Sequence, residues 1–111
     1  EKDMSDTIQS IDDNGFRDLI NVRQNVLIKF WAPWCGPCKM LSPVVERAST
    51  KHIEVAFAQI NVDENPALAA RLGVRALPTI QAWRDGNLFA SKTGAMGEAD
   101  LEKFIEELVQ E

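Results

Sequence analysis

Val26-Leu27-Ile28-Lys29-Phe30-Trp31-Ala32-Pro33-Trp34-Cys35-Gly36-Pro37-Cys38 is the stretch whose reading decides the fold. From Val26 to Ala32 it is apolar, β-branched or aromatic with one interruption at Lys29, the pattern of a central strand covered on both faces. The strand runs into a Cys-Gly-Pro-Cys segment, and a helix is expected to continue from Cys35 toward Ser49 with Pro43 inside it. The chain holds no other cysteine. A structural zinc site wants four ligands drawn mostly from Cys and His, and only the distant His52 could be added, so no metal is expected. As a staple, a bridge over so short a loop contributes only about 2 kcal/mol. What remains is a redox-active dithiol, or a dithiol retained without function.

Outward from this stretch, strand and helix signals alternate. Thr7 to Ile11 reads as a short strand, followed by Asp12, Asp13 and Asn14 as N-caps for a helix carrying Phe16, Leu19 and Ile20. Ile53 to Val62 reads as a second buried strand. Asn65-Pro66 places an N-cap before a proline at the first helical position, opening a short helix through Leu72 that Gly73 ends. Thr79 to Arg84 and Leu88 to Thr93 flank Asp85-Gly86-Asn87, a hairpin signal. Leu101, Phe104, Ile105 and Leu108 mark one face of a closing helix. The order predicts an α/β fold with a partly parallel sheet and an antiparallel edge. His52, near the end of the motif helix, reads as a C-terminal capping residue.

With 111 residues, 45% of them hydrophobic, the chain is expected to form a single domain over 1–111. Met4-Ser5 reads as the natural start, with Glu1-Lys2-Asp3 a remnant ahead of it. The formal charge of -5 disfavours nucleic acid and anionic membranes, because such a surface repels phosphates. Neither a secretory leader nor a bilayer-spanning run is visible. A reducing, cytoplasmic setting is the expectation, with proteins as partners.

The sequence resembles the thioredoxin family over nearly its whole length. Phe30 through Met40 matches the active-site signature, and Leu77-Pro78-Thr79 matches the loop that in the family holds a cis-proline opposite the dithiol. Asp85-Gly86 and Gly94-Ala95 fall where the family has its hairpin and a glycine of its substrate groove. The resemblance implies a five-stranded mixed sheet sandwiched by four helices. It also implies a monomeric protein-disulfide reductase that binds no cofactor, acts on disulfide-containing target proteins, and receives electrons from NADPH through a flavoprotein thioredoxin reductase.

The chemistry of the dithiol follows from its place at a helix start. Unpartnered N–H groups and the helix dipole ease ionisation of a thiol there, so Cys35 is expected to be the exposed nucleophile. Cys38, on the same side of the helix, is placed to resolve the mixed disulfide. Pro37 fits the first turn and restrains Gly36 between the thiols. Trp34 contacts substrate or covers the helix start, and Trp31 reads as core. By resemblance, Leu77 lends its backbone to an extended substrate segment, with Pro78 shaping that loop and Gly94 and Ala95 bordering the groove.

Lys29 departs from the family, whose members usually carry a buried aspartate there, and Gln59 stands where many have a lysine. Two readings of Lys29 are open. Its stem packs in the core while the ammonium snorkels to water, or a cationic or proton-shuttling Lys29 favours the Cys38 thiolate.

Overall fold

The computed structural model describes residues 8–110. Thr7, Glu1-Lys2-Asp3 and the expected start at Met4-Ser5 lie outside the described residues. The elements run β1 (Gln9–Ser10), α1 (Asp13–Val22), β2 (Asn25–Trp31), α2 (Gly36–Lys51), β3 (Ala56–Asn61), α3 (Pro66–Arg71), β4 (Thr79–Arg84), β5 (Asn87–Thr93) and α4 (Glu98–Val109). They form one mixed five-stranded sheet of order β1-β3-β2-β4-β5 with four helices, the thioredoxin fold. β2 lies at its centre, parallel to β3 and antiparallel to β4.

Strand periodicity divides the core into two layers, because successive residues of β2 point to opposite faces. Leu27 packs with Leu41 and Val45 of α2 and with Leu101, Phe104, Ile105 and Leu108 of α4. Val26, Ile28 and Phe30 pack on the other face with Phe16 of α1 and Leu68 of α3. Lys29 shares the face of Leu27, directly under α2.

The helix boundaries follow local chemistry. Asp12 caps α1, its Oδ1 accepting the Gly15 N–H at 2.9 Å. α2 runs through Pro43 without a break, and His52 caps its C-terminus, its N–H donating to the Ala48 carbonyl. The His52 ring also pairs through Nε2 with Glu102 of α4 at 2.7 Å. Asn65 is the N-cap of α3, but its side chain donates to the Asn61 carbonyl and leaves the helix start uncapped by side chain. In the β4–β5 hairpin, Asp85 and Gly86 have φ of 53° and 81°, the left-handed conformations of a two-residue turn.

Two sequence expectations change. β3 begins at Ala56 rather than Ile53, and Ile53 is 85% exposed, because the chain must first reverse direction after α2 through the His52–Val55 turn. β1 is confined to Gln9–Ser10, paired with Ala58 and Gln59 at the sheet edge.

Candidate functional site

β2 delivers the chain to the C-terminal end of the central strand, and a tight turn in which the Cys35 N–H donates to the Ala32 carbonyl at 3.1 Å turns it into α2. Cys35 is the N-cap residue of α2, with Pro37 in the first turn. Its sulfur accepts the Cys38 N–H at 3.1 Å, so it sits where orphan N–H groups and the helix dipole favour negative charge on sulfur. Cys35 and Cys38 form a disulfide with Cα atoms 5.3 Å apart. A Cβ at Gly36 would meet no atom within 4 Å, so the space beside the turn is open there.

The dithiol is more enclosed than the sequence suggests. Cys35 is 4% exposed and Cys38 2%. The expectation of an exposed Cys35 is corrected for this oxidised state: Ala32, Trp31, Val62 and Leu77 pack around the pair. Trp31 is itself corrected from core to half-buried, lying against the disulfide at the end of β2. Its Nε1 is buried without a hydrogen-bond partner among the described residues.

Trp34 is 69% exposed, and its indole is anchored by an Nε1–H bond to the Asp63 carboxylate, 3.0 Å to Oδ2. Asp63 escaped the sequence reading because it comes from the loop after β3 and meets Trp34 only in the folded chain. The Leu77-Pro78 peptide is cis. Leu77 packs against the dithiol, and the Pro78 carbonyl accepts the Gly94 N–H at 2.8 Å, which ties the Gly94-Ala95 segment to the same loop. Gly94 has φ of 102°, a conformation that favours glycine.

Beneath the disulfide, Lys29 is 2% exposed. Its Nζ donates to Ser42 Oγ at 2.7 Å, and Ser42 donates in turn to the Cys38 carbonyl at 3.2 Å. Snorkelling is therefore replaced by an internal contact. Burial holds the Lys29 ammonium below its ordinary range, while the Glu46 carboxylate opposes that shift. Glu46 is itself 4% exposed. Gln59, register partner of Lys29 on β3, turns its amide to the Ile8 carbonyl and Ser10. Ser42 and Glu46 went unread in the sequence, although their spacing from Cys38 places all three on one stripe of α2. Among the described residues no group of three or more His, Cys, Asp or Glu could hold a metal ion, and no helix is long and apolar enough to cross a membrane.

A closable disulfide at a helix N-terminus, set on this sheet beside a cis-proline loop, defines a protein dithiol–disulfide oxidoreductase. It reduces disulfides in target proteins through the reversible Cys35–Cys38 bridge. The chain belongs to the thioredoxin family, whose profile matches residues 7–107. Thioredoxin of Acidithiobacillus ferridurans is 37% identical over 105 residues, covering 93% of this chain and 97% of its own. Thioredoxin of Pseudomonas aeruginosa is 35% identical over 105 residues, with the same coverage of 93% and 97%. Among solved structures, oxidised mitochondrial thioredoxin 3 of Saccharomyces cerevisiae superposes with a TM-score of 0.89 at 34% identity, over 96% of this chain and 100% of its own. The N21Q variant of thioredoxin from Halobacterium salinarum gives 0.89 at 35% identity, over 100% and 98%.

Proposed function

We propose that this chain is a cytoplasmic, monomeric electron carrier of one domain, 1–111, recharged by NADPH through a flavoprotein thioredoxin reductase. Cys35 attacks the substrate disulfide, and Cys38 attacks the resulting mixed disulfide, releasing the reduced substrate and closing the bridge. Trp34, Leu77, Gly94 and Ala95 border the docking surface, where the Leu77 backbone takes an extended substrate segment by strand addition. Gly36, Pro37 and Pro78 hold the geometry of the exchange, and Lys29 tunes it from below.

The observation that carries this reading is the position of Cys35 as N-cap of α2, its sulfur accepting the Cys38 N–H while Leu77 packs against the pair. Coupled oxidation of NADPH in the presence of a thioredoxin reductase and a disulfide-bonded protein tests the electron route. Turnover is expected with the natural chain and absent without the reductase. Mass spectrometry tests the division of labour: Cys38→Ser is expected to accumulate as an adduct with the substrate, and Cys35→Ser to form none. Adduct formation by Cys35→Ser instead would reverse the two roles.

A further inference from the structure

A cavity of about 530 Å³ lies between β1, the end of β2, β3 and the first turns of α2. Its size falls within the usual range for small-molecule pockets. The exposed Gln9, Ser10, Pro33 and Lys39 form its outer part, and the buried Lys29 and Cys38 belong to its inner walls. Trp34, Leu77, Gly94 and Ala95 do not line it, so it is separate from the surface assigned above to protein substrates.

The hydrogen-bonding groups of this cavity are out of balance. Lys29 Nζ carries three hydrogens as an ammonium and gives one to Ser42 Oγ at 2.7 Å. The Ser42 hydroxyl is spent on the Cys38 carbonyl, and the Gln59 amide nitrogen on the Ile8 carbonyl and Ser10 Oγ. Trp31 lines the same cavity, and its Nε1–H is a buried donor without a partner among the described residues. Lys39 makes no ion pair among the described residues. No aspartate or glutamate among the described residues lines the cavity, and Glu46 acts on Lys29 from outside it. Two ammonium groups thus face side-chain acceptors that are only uncharged amide and hydroxyl oxygens.

We infer that this cavity is a binding site for a small oxyanion with two negative charges, a dicarboxylate or a phosphate, held between Lys29 and Lys39. Such a ligand brings acceptors alone, which is what the surplus donors lack. Ammonium groups bond carboxylate and phosphate oxygens more strongly than neutral acceptors. The Trp31 N–H adds a neutral donor in the same wall. Because the chain carries a formal charge of -5, it repels anions at long range. Binding therefore depends on contact inside the cavity, and loss of either lysine weakens it.

NMR of the oxidised protein, labelled with ¹³C at lysine Cε and ¹⁵N at the tryptophan indole, tests this near neutral pH. Sodium phosphate, succinate and acetate are titrated in turn, with ionic strength held constant by sodium chloride. Phosphate or succinate is expected to give saturable shifts at both Lys29 and Trp31 with a Kd of about 1 mM or below. The tighter of the two identifies the source as a phosphate or a dicarboxylate. Acetate, with one charge, is expected to bind at least about tenfold more weakly, and acetate binding as tightly as succinate would overturn the two-charge assignment. Lys39→Gln changes only an exposed side chain and is expected to weaken the dianion about tenfold, while Lys29→Met is expected to abolish the saturable shift at Trp31. Lys103→Gln, which removes an exposed cation of α4 outside the cavity, is expected to bind like the unsubstituted chain. The proposal is overturned by no saturable shift with either dianion up to about 50 mM, which would leave water as the occupant. An affinity unchanged in Lys39→Gln, or a Trp31 response that survives Lys29→Met, would overturn it equally.

Discussion

At the scale of single residues, Lys29 gives the molecule a pH signature separable from catalysis. In the oxidised protein neither cysteine titrates, and burial holds the folded pKa of Lys29 below the ordinary 10.5 of an unfolded chain. Between those values the unfolded chain binds more protons than the folded one, so stability rises with pH across that window. Below the folded pKa the cost of the buried ammonium is constant. Lys29→Met has no such dependence. The oxidised wild type is therefore expected to gain stability relative to Lys29→Met as pH rises through the folded pKa toward 10.5. Urea midpoints of both proteins across alkaline pH provide the measurement, and a constant difference would mean that the ammonium is not held down by burial.

At the scale of elements, α2 carries most of the chemistry, and its start doubles as the reactive site. Cys35 acts as an N-cap through a sulfur that accepts the Cys38 N–H. Serine preserves an acceptor at that position and alanine removes it. Cys35→Ala is thus expected to be about 1 kcal/mol less stable than Cys35→Ser, although both lack the bridge. Urea unfolding compares them directly, and equal midpoints would show that the sulfur contributes nothing to the helix. The same helix illustrates what spacing reveals. Cys38, Ser42 and Glu46 follow one another at four-residue intervals, so their shared stripe is readable once the helix is assigned. That this stripe lies over Lys29 required the packing of α2 on β2.

At the scale of the molecule, the sheet separates two apolar layers of unequal relation to the dithiol. Phe104 is 1% exposed in the α2–α4 layer with Leu27 and Ile80, whereas Phe89 on the edge strand β5 is 44% exposed. Phe104→Ala is expected to cost about 3–5 kcal/mol, a large part of the roughly 5–15 kcal/mol typical of a whole domain. Phe89→Ala is expected to stay within about 0.5 kcal/mol of the parent. Denaturant unfolding followed by far-UV circular dichroism decides, and similar losses in the two variants would contradict the division between layer and edge.

Local chemistry made much of this legible in the sequence. The apolar run of β2, the Asp12 cap, the Asp85-Gly86 turn and the one-sided face of α4 are each set by neighbours a few residues apart, and the four-helix, five-strand order follows from their succession. The motif Cys35-Gly36-Pro37-Cys38 carried its own chemistry in the same way. The late start of β3 was hidden because Ile53 looks like a strand residue until the reversal after α2 claims it. The surroundings of the dithiol were decided only by tertiary structure. Trp34 meets Asp63, Leu77 reaches the disulfide, Gly94 joins Pro78, and Lys29 finds Ser42, through contacts between distant segments. A lysine stem reaches water or an internal partner with equal ease in a sequence, and only the closure of α2 over β2 removes the first choice.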